Sequence, residues 1–215
     1  MQKQVDVTHY NFGKYVPKTR WIAFYHQIDE IISIKPSSIL EVGVGSGVLK
    51  MMMKYFLFYG YESMDIDGAL NPDHVGSILE MPFPDSQYDV IGCFQVLEHL
   101  PYENFEKALS ELFRVARKAV VLSLPDAGRI IELHIPKICK NKFIKWPFGR
   151  LKEHKFDGQH YWELNKKGYG TKRVIQKMRE ICKKYDYAME KEYRIWECKF
   201  FHFFVFKKTH ENTIL

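Results

Sequence analysis

Nine residues, Ile39-Leu40-Glu41-Val42-Gly43-Val44-Gly45-Ser46-Gly47, restrict this chain more than any other stretch, because an apolar run of strand character passes straight into three glycines at alternate positions. Glycine admits positive φ and carries no Cβ, so the main chain of such a turn comes close to a ligand while the strand's side chains stay in the core. The turn, and not the strand, is where a ligand is held.

Two cofactors compete for this turn. A dinucleotide fingerprint needs G-x-G-x-x-G, and Val48 stands where its third glycine would fall. Glu41, two residues before the first glycine, is poorly placed beside a pyrophosphate and well placed for a cationic ligand. This acid-x-G-x-G-x-G pattern resembles the first motif of class I S-adenosylmethionine-dependent methyltransferases. Further on, Gly60 to Asp67 reads as a second strand ending in acid. Asp65 lies about twenty residues past the glycines, where a doubly wound sheet presents a carboxylate to ribose hydroxyls. Asp67 reads as a capping or loop residue, although the two roles are exchangeable on sequence grounds.

The blocks Met81-Pro82-Phe83-Pro84-Asp85 and Val96-Leu97-Glu98-His99-Leu100 resemble the next signatures of the same superfamily, in the branch that carries L-P-F-P-D and V-L-E-H-L. The resemblance spans about Ile39 to Pro125 with its motifs in order. It implies an α/β fold, a doubly wound Rossmann-like seven-stranded sheet with helices on both faces, and S-adenosyl-L-methionine as cofactor. Carried over residue by residue, it assigns Glu41, Gly43, Gly45 and Gly47 to the methionine part of the donor and Asp65, with Ile66 beside it, to the ribose. Ile78 and Leu79 take the adenine, while Phe94 and Gln95 meet the methionine moiety from a strand end. One departure is Ser77, which stands where the branch commonly has aspartate, so adenine contacts there fall to its hydroxyl or to Ile78.

At 215 residues and 46% hydrophobic content the chain suits one domain over residues 1–215. It is expected to carry an N-terminal helix over about 17–34, where Trp21, Phe24, Tyr25, Ile28, Ile31 and Ile32 follow helical spacing. Helices are expected over Val48 to Phe58, Tyr102 to Arg117 and Gly170 to Lys184, and a strand over Lys118 to Leu124. Tyr187 to Tyr193 and Phe200 to Lys207 read as a closing antiparallel pair, the latter with both faces buried. About 127–168 remains an irregular connection long enough to be a substrate loop. Cys93, Cys139, Cys182 and Cys198 form no C-x-x-C pair, no apolar run reaches the roughly 20 residues of a membrane span, and no signal-peptide core opens the chain, so a cytoplasmic protein is expected.

For the general base, His99 is the first candidate, just past a strand end, with Glu98 as an alternative base or its orienting partner. His160, within Gly158-Gln159-His160-Tyr161-Trp162-Glu163, is the second, and His134 and His154 are weaker. No H-x-x-x-H or aspartate-rich cluster is present, so no metal site is expected. Where amino-methyltransferases of nucleic-acid bases carry [N/D]-P-P-[F/Y], this chain has Phe94-Gln95-Val96-Leu97, and Cys93 follows glycine rather than the proline a cytosine-carbon enzyme needs. The basic set Lys166, Lys167, Lys172, Arg173, Lys177, Arg179, Lys183 and Lys184 reads either as a phosphate grip or as a solvated helix face. The stretch from Trp146 to Tyr169 resembles methyltransferases that accompany surface-polysaccharide enzymes. With the net charge of +6, that resemblance implies a nucleotide-linked sugar as acceptor, methylated on oxygen, with nucleic acid disfavoured. An RNA- or protein-directed methyltransferase and a nonenzymatic cofactor-binding protein stand as alternatives.

Overall fold

The structure, a computed structural model, describes residues 7–57, 60–135, 139–145 and 151–209. A 3₁₀ turn at Val7–Tyr10 and a short helix α1 (Phe12–Tyr15) precede α2 (Lys18–Ser33), which starts after Pro17 and stops three residues before Pro36. α2 buries Ala23, Gln27 and Ile31, one residue per helical turn, with Phe24 beside them. Then come β1 (Ile39–Val42), α3 (Val48–Met52), β2 (Tyr61–Asp65), β3 (His74–Val75), β4 (Tyr88–Phe94), α4 (Phe105–Val115) and β5 (Ala116–Pro125). β6 (Ile130–Ile135), β7 (Cys139–Lys145), α5 (Thr171–Lys183), β8 (Tyr187–Arg194) and β9 (Phe201–Lys208) complete the order.

Seven strands form one sheet in the order β3-β2-β1-β4-β5-β9-β8. The first five run parallel, and β9 and β8 add as an antiparallel pair. From β1 the chain passes outward to β2 in one direction and later returns to lay β4 on the other side. The crevice beyond the carboxyl ends of β1 and β4 is therefore the switch point at which such sheets bind ligands. All four residues of β1 and all seven of β4 are buried, as strands covered on both faces require. One core layer packs α4 and α5 on the sheet through Phe105, Leu109, Leu112, Phe113 and Met178. The other collects Ala23, Ile31, Leu49, Met53 and Phe203 on the opposite face. Phe201 to Phe206 are all buried, as the poor alternation of that segment predicts.

Three elements differ from the sequence expectation. The helix after the glycines keeps α geometry only to Met52 and widens into a π turn at Met53–Leu57. The helix expected over Tyr102 to Arg117 begins as a 3₁₀ turn and ends at Val115. Its last two expected residues are already strand, because Arg117, with Lys118 after it, pairs with the carboxylate of Asp89 on β4. The connection over 127–168 is not wholly irregular, since β6 and β7 form a two-stranded antiparallel sheet of their own. Pro136 and Trp146 lie outside the described residues, as does the side chain of His134.

The end of that connection is fastened to the body of the domain. The amide of Leu164 donates to the Pro125 carbonyl at 3.0 Å, and Asn165 Nδ2 donates to Asp126 at 2.7 Å. Trp162 is fully buried between Tyr102, Phe105 and Tyr169, and its Nε1 donates to the Leu100 carbonyl at 3.1 Å. Trp162→Ala is expected to cost about 3–5 kcal/mol in urea unfolding, and a loss below 1 kcal/mol would show that this anchor does not hold the segment.

Candidate active site

A cavity of about 430 Å³ opens at the switch point, within the size range of small-molecule and cofactor sites. Its floor is the end of β1 and the glycine turn. Gly43 and Gly45 have φ of +89° and +52°, and a Cβ at Gly43 would overlap the Val96 side chain, so side-chain residues are excluded for both dihedral and steric reasons. Gly47, at φ +71°, is the N-cap of α3 and does not line the cavity. Gln95, at the end of β4, also sits at positive φ, +56°, held by its amide to the Ser123 carbonyl at 3.0 Å and by Nε2 to the Ser123 hydroxyl at 3.2 Å. A non-glycine residue in that conformation stores strain, and here it sits on the cavity wall.

Asp65 and Ile66 line the cavity from the end of β2. Asp65 Oδ2 accepts from the amide of Val44 at 2.8 Å and Oδ1 from the amide of Asp67 at 2.9 Å, so this carboxylate also ties the glycine turn to β2. Burial raises its pKa against those hydrogen bonds. Asp67 accepts from the amide of Ala69 at 3.0 Å and caps the turn Gly68–Leu70, the capping role expected of it. Ile78 and Phe94 line the cavity; Ser77 and Leu79 do not, and the Ser77 hydroxyl accepts from the Leu79 amide at 3.2 Å. Glu41 lies behind the turn, on a smaller adjoining cavity that shares Gly43, Gly45, Phe94 and Gln95 with the main one. It is buried and accepts a hydrogen bond from the Tyr61 hydroxyl. Burial pushes its pKa up to about 8 although that hydroxyl acts in the opposite direction.

At the other end of the cavity the fold joins residues far apart in sequence. His99 and His160 both line it, with ring centroids 5.1 Å apart. Glu98 lies beside them, fully buried, and neither carboxylate oxygen has a hydrogen-bond partner. One ligand atom each from Glu98, His99 and His160 falls within 4.8 Å of the other two. His99 Nδ1 donates to the Gln159 carbonyl at 3.0 Å, and His160 Nδ1 donates to Glu163 at 3.0 Å. A carbonyl or carboxylate only accepts, so both rings are fixed with the proton on Nδ1. Burial and the neighbouring His160 lower His99 to about 4. Burial lowers His160 as well, but the bond to Glu163 and the Glu98 charge outweigh it and raise the group. Burial lifts Glu98 to about 7. His154 does not line the cavity; its Nε2 holds the His160 carbonyl at 2.7 Å.

The remaining wall comes from the N-terminal segment, which the sequence pattern marks only as a helix. His9, Tyr10, Tyr15 and Arg20 all line the cavity. The Arg20 guanidinium lies over the Tyr15 ring at 3.9 Å and over Phe201 at 5.4 Å, which fixes a cation at the site. The one sequence signal for this wall was the aromatic group His9, Tyr10 and Tyr15 just upstream of α2.

Residues 40–124 match the model of a methyltransferase domain family. Similar solved structures include the methyltransferase domain of bacterial CtHen1, 15% identical, with 90% of this chain and 100% of that one covered and a TM-score of 0.63. A second is an S-adenosylmethionine-dependent methyltransferase from Clostridium acetobutylicum, 8% identical, covering 95% and 97%, with a TM-score of 0.57. A third is the N-methyltransferase NodS from Bradyrhizobium japonicum in complex with S-adenosyl-L-homocysteine, 11% identical, covering 91% and 90%, at 0.58. No curated protein matches the sequence. Strand order and these structural likenesses show a class I methyltransferase fold, and the matched segment holds the glycine turn and the strand ends around the cavity.

The raised pKa of Glu41 has a sign that solution measurements test. Between the ordinary value of 4.5 and about 8, the folded chain keeps a proton that the unfolded chain has lost, so stability falls as pH rises through this window. Glu41→Gln is expected to flatten that fall in denaturant unfolding between pH 5 and pH 8. Parallel pH profiles for the two proteins would show that Glu41 does not titrate in this window.

Proposed function

We propose that this enzyme methylates a hydroxyl oxygen on a sugar, carried by a small nucleotide-activated acceptor used in surface-polysaccharide assembly. The observation that carries the reading is the Glu98–His99–His160 group, whose two histidines line the same cavity as Asp65 and Ile78. A hydroxyl becomes a useful nucleophile only as its proton leaves, and this is the part of the cavity wall equipped for proton transfer. The donor lies across the switch point. Gly43 and Gly45, with Glu41 behind them, serve the cationic methionine end of S-adenosyl-L-methionine, Asp65 and Ile66 its ribose, and Ile78 its adenine. Phe94 and Gln95 close on the methionine chain.

Methyl transfer is an in-line displacement. The acceptor oxygen forms a bond to the methyl carbon while the carbon–sulfur bond breaks, and the electron pair leaves with sulfur as a neutral thioether. Holding the two reactants in line supplies about 7–11 kcal/mol. His160, with Glu163 fixing Nδ1 and Nε2 left to accept, is better suited to draw the proton than His99, whose depressed pKa makes it a weak base. Phe200 lies parallel to the His160 ring at 6.3 Å and extends an aromatic wall beside the acceptor.

Macromolecular acceptors fit less well. None of the basic residues of α5 or its C-cap lines the cavity, and two of them, Lys177 and the C-cap Lys184, are paired with Glu106 at 3.6 and 2.9 Å. Among the described residues no helix is long and apolar enough to cross a membrane. The proposed setting is cytoplasmic, with residues 1–215 acting as one methyltransferase domain.

A panel of nucleotide sugars incubated with methyl-labelled donor is expected to yield at least one labelled ether. Label in RNA or protein and in no nucleotide sugar would replace this acceptor class. His160→Ala is expected to lower turnover by about 10²- to 10⁴-fold while S-adenosylhomocysteine affinity, measured by calorimetry, stays within about twofold; unchanged turnover would remove His160 from the chemistry.

A further inference from the structure

We propose that Glu98, His99 and His160 bind a divalent first-row metal cation at the acceptor end of the cavity. Contiguous sequence gives no hint of this, since His99 and His160 are separated by most of α4, β5 and the 127–168 connection. Three independent features point to it.

The first is the donor set. Two imidazoles on the cavity wall and one buried carboxylate beside them leave the other positions of an ion open to substrate. The second is the hydrogen bonding on the far side of each ring. Metal-bound histidines almost always give their other N–H to a carboxylate or a backbone carbonyl. His160 gives Nδ1–H to Glu163 and His99 gives Nδ1–H to the Gln159 carbonyl, which places the lone pair of each ring on Nε2. The third is Glu98. Its side chain is fully buried and both oxygens lack a partner, although a buried carboxylate is costly unless a cation or a set of donors meets it. A cation between the two rings supplies what Glu98 lacks.

The size of the site fits. At about 2.1 Å from each ligand atom, an ion holds its ligands no more than about 4.2 Å apart, and the three atoms here lie within 4.8 Å of one another. Closing the difference takes a few tenths of an ångström of side-chain movement. The backbone around them is secured, because the Tyr161 amide donates to the Glu98 carbonyl at 2.8 Å and His154 holds the His160 carbonyl. A second grouping, Asp157, His160 and Glu163, fits less well. There Asp157 Oδ1 is taken up by the amides of Gln159 and His160, and Glu163 holds the Nδ1 proton of His160.

The role of the cation in catalysis rests on the methyl-transfer reading above; its binding does not. With the cation bound, the acceptor hydroxyl coordinates through oxygen and gives its proton to water. The oxygen then forms the carbon–oxygen bond as the carbon–sulfur bond of the donor breaks and its electron pair goes to sulfur. The cation is unchanged, and it takes over from His160 as the group that activates the hydroxyl.

The test uses the full chain stripped with chelator and titrated with MnCl₂, followed by calorimetry and by pulsed electron paramagnetic resonance. One Mn²⁺ per chain is expected, with coupling to two imidazole nitrogens. Glu98→Gln and His160→Asn are each expected to weaken binding at least tenfold. Glu163→Gln, a positioning change, should weaken it by about 10- to 100-fold. The absence of a stoichiometric site, binding without imidazole coupling, or binding indifferent to both Glu98→Gln and His160→Asn would overturn the proposal. S-adenosylhomocysteine titrated into the same samples separates the two readings. Retained donor binding without Mn²⁺ binding removes the metal alone, while Mn²⁺ binding with no sugar methylated leaves the metal in place and removes the acceptor.

Discussion

Because all four residues of β1 are buried, that strand reaches the main cavity only at its end, through Val42 and the glycine turn beyond it. Everything at the donor end follows from this constraint. The chain must turn without side chains where it leaves the sheet, and Gly43 and Gly45 do so at positive φ. The turn would be loose if only the strand held it. The Asp65 carboxylate, accepting from the Val44 amide, joins it to the end of β2. One acid therefore shapes the floor of the cavity and lines it. Its burial, like that of Glu41, raises a pKa that a bound cation would bring back down.

The acceptor end is built on a different plan. It depends on long-range anchoring of a segment that has little regular structure. Trp162 is driven into the core by the area it buries, and its indole N–H fixes its orientation against Leu100. The Tyr161 amide is bonded to the carbonyl of Glu98 itself. His160 is carried with them to the rim beside His99, and His154 and Glu163 then set its backbone and ring. The two ends differ in kind. Donor recognition uses backbone geometry close to the sheet, whereas the acceptor group uses ionisable side chains on a fastened connection, the part of such folds where substrate preference is free to vary.

Much of the architecture was legible in local pattern. The alternate glycines, the acid at the end of β2, the buried run of β4 and the phenylalanine-rich β9 each carry their structural meaning within a few residues. Boundaries were less legible wherever a distant partner intervened. Ala116 and Arg117 read as the end of a helix until the Asp89 carboxylate on the neighbouring strand, which pairs with Arg117 and Lys118, is taken into account. The hairpin of β6 and β7 was hidden because its alternation is weak and its pairing is confined to itself. Glu41 was expected to face a cation; it lies behind the turn against Tyr61, on the adjoining cavity. Ser77 and Leu79 stand back from the wall that Ile78 forms.

What the sequence determined alone is therefore the proposed donor half: a doubly wound sheet, a glycine turn at its switch point and a carboxylate at the end of β2, all set by short-range sterics and by the period of apolar residues. Tertiary structure alone decided the acceptor half. His9, Tyr10, Tyr15 and Arg20 come from one end of the chain, Glu98 and His99 from the middle and His160 from a late connection. No spacing rule links them. They meet because burying Trp162, Phe105 and the faces of β4 and β5 brings these segments together, and the chemistry of the cluster is a consequence of that packing.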